Sequence, residues 1–172
     1  MGIKGRLLHA GCGNTELPFW AKDAKEVRLD IDPQWNPDIV ASLTDMGEIG
    51  EYDLIYTCHT LEHLYPDEIP AALSEFRRVL KEGGVAIIFV PDLEDVKATD
   101  EVLYESDGGS ITGLDMIYGM AKLVEYSRYM AHHTGFVKET LERAMIKAGF
   151  INVSVQRIAF NLFCVGIKPK GI

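Results

Sequence analysis

Three groupings of residues in this chain have types and spacings that could do chemistry. The first is Gly11-Cys12-Gly13, which directly follows the run Leu7-Leu8-His9-Ala10. Glycines after a strand let backbone amides approach a ligand where a side chain would collide. Asp30 ends the next apolar run, 19 residues after Gly11. At that spacing a carboxylate accepts hydrogen bonds from the hydroxyls of a bound ribose. A diphosphate-binding turn has its third glycine where this chain has Glu16, whose charge would face the phosphates. The turn therefore suits a ligand that carries a positive charge and no phosphate. The plain alternative is a tight turn at Gly11 and Gly13, with Asp30 capping the next segment.

The second grouping, His59-Thr60-Leu61-Glu62-His63, fits the His-x-x-Glu-His pattern of some zinc peptidases. Its histidines would share a metal only on a continuous helix. Here His59 follows the strand-like run Tyr52–Cys58 at once, and no third ligand is evident downstream, so no metal is expected. His59 instead falls at the C-terminal end of a strand, where open α/β sheets place ligands. Glu62 and His63 are expected to fix the loop rather than react. The third grouping is His132-His133-Thr134-Gly135-Phe136. One of its histidines could orient an acceptor or take its proton, because an unperturbed imidazole titrates near neutrality. It is equally open that the pair bonds backbone and ends the preceding helix.

The elements that would position these groups alternate as βα units do. Strands are expected at Arg6–Ala10, Glu26–Asp30, Asp38–Ala41, Tyr52–Cys58 and Val85–Val90, with a short helix at Leu17–Lys22. Ile69, Ala72, Leu73, Phe76, Val79 and Leu80 recur three and four apart, one apolar stripe of a helix entered at Pro66 and Pro70 and stopped by Gly83-Gly84. Residues 92–134 lose this regularity and read as an insertion, helical over Leu114–Ala131, with tyrosines expected to pack rather than form a substrate cage. A helix carrying Leu141, Ala144, Met145 and Ala148, ended by Gly149, precedes the strand pair Ile151–Arg157 and Asn161–Ile167. Trp20 and Trp35 are expected to pack at the edge of the ligand site.

The ordered set of motifs resembles the class I S-adenosylmethionine (SAM)-dependent methyltransferases, especially the type 11, ubiquinone-biosynthesis methyltransferase-like subgroup. Leu8-His9-Ala10-Gly11-Cys12-Gly13 is similar to the family's first motif and Leu29-Asp30-Ile31-Asp32-Pro33 to its second-strand acid motif. Tyr52–Tyr56 with Leu61-Glu62-His63 resembles the fourth-strand motif, and Arg78-Val79-Leu80-Lys81-Glu82-Gly83-Gly84 the entry to the fifth strand. Glu82 stands where the family commonly has proline, Asn14 where a third glycine is common, and Ser42 where many relatives have an acid contacting adenine. The resemblance implies a single domain over residues 1–172, with a substrate cap at about 92–134. Its fold would be a Rossmann-like, mostly parallel α/β sheet with a C-terminal antiparallel strand and helices on both faces. It implies SAM as cofactor and S-adenosylhomocysteine as product, held by Ala10, Gly11, Cys12, Gly13, Asp30, Ile31, Leu43, Thr44, Cys58 and His59. His59 and His132 would be the catalytic candidates.

Composition narrows the partners. Acids exceed bases by 26 to 17, a formal charge of −9, which argues against a nucleic-acid backbone and suits a small molecule or a cationic group. The resemblance implies a small-molecule or glycan-precursor acceptor. The opening Met1–Arg6 lacks an apolar leader, no run reaches the ~18 residues of a membrane span, and three cysteines without metal spacing suit a reducing cytoplasm. Oligomeric state stays open at this point, a homodimer included. The competing reading is a SAM-binding domain without catalysis, serving as a partner or regulatory subunit.

Overall fold

The computed structural model describes residues 4–106 and 108–171; Met1–Ile3, on which the leader reading partly rests, lie outside them. Nine strands and four α-helices are assigned among these residues. Strands β1 (Arg6–Ala10), β2 (Lys25–Asp30), β3 (Ile39–Val40), β4 (Tyr52–Cys58) and β5 (Leu80–Pro91) run parallel. The hairpin β8 (Ile151–Ile158) and β9 (Asn161–Ile167) adds antiparallel to β5. The sheet order is β3-β2-β1-β4-β5-β9-β8, so the strand order reverses between the parallel neighbours β1 and β4, where such sheets open a crevice at their C-terminal ends.

Helices α1 (Ile69–Val79) and α4 (Lys138–Lys147) share one face of this sheet. Their buried stripe, from Ile69 through Phe76 to Leu141 and Met145, packs on Leu8, Ile55, Ala86, Ile88 and Cys164. Among the described residues, the opposite face carries a 3-10 turn at Phe19–Ala21 where a helix over Leu17–Lys22 was expected. Pro18 lies just before this turn, and residues 14–18 ahead of it are irregular. Here Trp20, Tyr56, Phe89 and Phe163 form a ladder with successive centroids 5.6, 6.2 and 5.0 Å apart. Trp20 is thus part of this face and lines neither of the two cavities described below.

Helix α1 stops at Val79, five residues before Gly84, because Leu80 turns extended and pairs with Tyr52. The two glycines serve an irregularity inside β5 rather than the helix end. The insertion differs more. Residues expected to be loose form the hairpin β6 (Val102–Ser106) and β7 (Gly109–Thr112). The expected helix is divided into α2 (Gly113–Tyr118), α3 (Ala121–Tyr126) and a 3-10 turn at Arg128–Met130. Gly119, at φ +87°, breaks it, and an added Cβ there would lie 2.4 Å from the Met130 carbonyl oxygen. Arg157 of β8 anchors the insertion's base through Asp92, Glu94 and Asp95. Among the described residues, no helix is long and apolar enough to cross a membrane.

Candidate active site

The turn after β1 is held from three sides. The Gly11 and Cys12 amides both donate to the Leu29 carbonyl. Asp30 Oδ2 accepts from the Gly13 amide at 2.7 Å, and Oδ1 accepts from the Asp32 amide at 2.9 Å. Each oxygen of an ionised carboxylate keeps a further lone pair, so both remain able to accept from a ligand. Arg28, which sequence reasoning missed, donates to the carbonyls of Gly13 at 2.6 Å and Thr15 at 2.8 Å. Its only sequence signal was its place two residues before the acid. His9 lies beneath, buried, its Nδ1 2.8 Å from Glu26 Oε1. Burial holds this ring below its ordinary pKa despite the carboxylate.

The two glycines do different work. Gly11, at φ +68°, faces Thr60, whose Cγ2 would lie 2.1 Å from an added Cβ. Its lack of a side chain admits a neighbour from the turn after β4. Gly13, at φ +47°, has nothing within 4 Å of that position and opens onto a cavity of about 300 Å³. Gly11, Cys12, Gly13, Asp30, Ile31, Leu43, Cys58 and His59 line this cavity. Of the expected cofactor set, Ala10 points into the core instead, and Thr44 turns back to hydrogen-bond Ser42 at 2.8 Å. Asn14, Asp32, Trp35, Thr60 and Met130 also line it, the last from the insertion. A second cavity of about 730 Å³ shares Ile31, Ser42, His63, Leu64 and Tyr129 with the first and adds Glu68, Glu125, Arg128 and His133. Burial pushes the Cys12 thiol up to about 11 and raises Cys58, so neither is a thiolate nucleophile at neutral pH.

Residues 4–155 match the family model described as "Methyltransferase domain". The chain belongs to the methyltransferase domain family. Its fold is shared with solved structures of low sequence identity. The apo form of the SAM-dependent methyltransferase SibL superposes with a TM-score of 0.65 at 14% identity, over 96% of this chain and 50% of that one. A Burkholderia thailandensis 1,6-didemethyltoxoflavin-N1-methyltransferase, bound to 1,6-didemethyltoxoflavin and S-adenosylhomocysteine, gives 0.64 at 16%, over 97% and 72%. Human N-acetylserotonin methyltransferase in complex with SAM gives 0.65 at 13%, over 96% and 48%. The chain thus spans about half the length of the first and third of these. No curated protein matches it in sequence.

In this methyltransferase domain the two later groupings meet. The turn after β4 is a single 3-10 turn at Leu61–His63, and His59 takes φ +52°, outside any helix, so His59 and His63 do not form the peptidase arrangement. The amides of His133 and Thr134 donate to the Glu62 carbonyl, and Thr134 Oγ1 donates to the Leu64 carbonyl. This stitching brings His132 beside His63, with ring centroids 4.9 Å apart. His59 is half-exposed in the smaller cavity, its Nδ1 3.3 Å from Glu62 Oε1. Burial works against charging its ring, but the Glu62 carboxylate outweighs that and raises its pKa. His132 lines neither cavity, and its Nδ1 faces the Met116 carbonyl at 2.9 Å. Burial holds its pKa below the ordinary value. Tyr126 of α3 donates to Gln34 Oε1 at 2.8 Å, joining the insertion to the segment after β2.

Proposed function

We propose that this domain binds SAM in the cleft at the C-terminal ends of β1, β2 and β4 and transfers its methyl group to a small-molecule acceptor. One observation carries the reading. A cradle with open space at Gly13 lies 2.7 Å from a ribose-ready carboxylate, and no helix begins behind it. A diphosphate is normally held at a helix N-terminus following the glycine turn. Here residues 14–18 are irregular and only a 3-10 turn follows. The cradle therefore fits a ligand with an amino-acid end and a ribose but no phosphate.

When bound, SAM supplies a sulfonium-activated methyl group for in-line displacement. The chain's task is alignment and exclusion of water, which can supply ~7–11 kcal/mol of a barrier. Gly11–Gly13 receive the amino-acid end, Asp30 accepts from the ribose, and Ser42 and Leu43 border the base. Thr44 is left out because it does not reach the cavity. His59 is the group we assign to the acceptor, as a hydrogen-bonding contact whose ring Glu62 orients. The 92–134 segment, through Tyr129 and Met130, walls the shared cleft as a substrate cap.

Calorimetry with SAM and S-adenosylhomocysteine tests the cofactor reading, and transfer of a labelled methyl group to a panel of small acceptors tests the activity. Both ligands should bind the full chain, and Asp30→Ala should lose measurable affinity. Failure of both to bind, or undiminished affinity in Asp30→Ala, overturns the cofactor reading. Binding without transfer to any acceptor supports the non-catalytic alternative.

A further inference from the structure

We propose that Glu62, His63 and His132 form a binding site for a divalent transition-metal ion of the zinc class, which staples the 92–134 segment to the turn after β4. The three side chains each offer a ligand atom, and all three atoms lie within 4.8 Å of one another. The peptidase-type arrangement would pair His59 with His63 on one helix, and His59 is not in this set. The third ligand is 69 positions beyond His63 and becomes a neighbour only because the His133 and Thr134 amides dock on the Glu62 carbonyl.

Glu62 supplies the independent observation. Its side chain is only 2% exposed, yet neither carboxylate oxygen receives a hydrogen bond. Buried charges are normally paired, hydrogen-bonded or coordinated to a metal. The neighbouring His59 contact, at 3.3 Å, reaches only Oε1 and leaves Oε2 free.

The histidines are arranged to receive a metal. His63 Nδ1 lies 3.1 Å from the Ala131 carbonyl and His132 Nδ1 lies 2.9 Å from the Met116 carbonyl. A carbonyl only accepts, so Nδ1 is the donor in each ring and Nε2 is the nitrogen left to face a metal. Metal-ligating histidines are commonly fixed in this way, one nitrogen donating to a carbonyl and the other binding the ion. Two imidazoles and one carboxylate are a zinc-type donor set with a fourth position left open. The ligands' single negative charge is offset by a dication. His63 also lines both cavities, which gives the ion a path from solvent.

The site is independent of the SAM reading and is tested on the full chain after dialysis against a chelator. Zinc titrated by calorimetry should bind at one ion per chain. Glu62→Gln and His132→Ala should each weaken it by about tenfold or more, whereas His133→Ala, whose ring stacks on Tyr65 instead, should not. Circular dichroism checks that each variant is folded. Cobalt added to the unmodified chain should give the intense visible bands of a low-coordinate nitrogen and oxygen site, a readout that needs no variant. Absence of zinc uptake, a pale six-coordinate cobalt spectrum, or undiminished uptake in both folded ligand variants overturns the proposal. Loss of zinc binding with SAM affinity retained supports it and leaves the cofactor reading standing.

Discussion

At the scale of single residues, Gly11 carries a test of how the site is assembled. The sequence suggests that its missing side chain makes room for a ligand, whereas the structure fills that room with Thr60 and leaves the open space at Gly13. Gly11→Ala therefore meets two separate obstacles. A left-handed alanine costs ~1–2 kcal/mol, and the added Cβ collides with Thr60. Thr60→Ala removes the second obstacle and not the first. A double-mutant cycle by urea denaturation should show Gly11→Ala strongly destabilising in the parent and reduced to about 1–2 kcal/mol in the Thr60→Ala background. Equal costs in the two backgrounds would show that Thr60 is not the obstacle. Asp30 was legible because its spacing from the turn is set by one βα unit. Arg28 was not, since a strand arginine reads as exposed until the turn it grips is in place.

At the scale of elements, the central strands and both long helices were legible because each carries a clear period and clear punctuation. Where the reading strayed, a tertiary pairing overrode local chemistry. Leu80 continues the helical stripe but joins β5, since pairing with Tyr52 buries it equally well. The β6–β7 hairpin was missed because Gly108-Gly109 read as a loop among mixed polar residues rather than as its turn. The unequal cover of the sheet leads to a quantitative contrast. Phe76 of α1 is fully buried, while Phe163 lies on the face of the aromatic ladder, which carries no α-helix among the described residues, and stays partly open. Phe76→Ala should cost about 3–5 kcal/mol, the range for a closed core site. Phe163→Ala, where water already reaches the ring, should cost clearly less. Chemical denaturation of both variants checks this, and equal losses would mean that the aromatic ladder is as well sealed as the helical side.

At the scale of the whole molecule, the cleft gathers segments that the chain keeps far apart: the turn at 11–15, the residues after β2, Ser42–Leu43, the turn after β4, and 127–130 of the insertion. A ligand filling it binds the folded chain and has no site on the unfolded one, so its binding energy adds to stability. With SAM at about 100 times its dissociation constant, this linkage contributes ~2.7 kcal/mol. For a chain of this size, each kcal/mol raises the melting midpoint by about 2–4 °C. SAM should therefore raise Tm by about 5–10 °C in a thermal scan. Asp30→Ala loses the partners of the Gly13 and Asp32 amides, so it should melt lower even without ligand. Its own midpoint should then stay fixed as SAM is added at the same concentration. A variant that starts lower but shifts as far as the parent would make Asp30 a support of the turn alone, with the ribose held by other groups in the cleft.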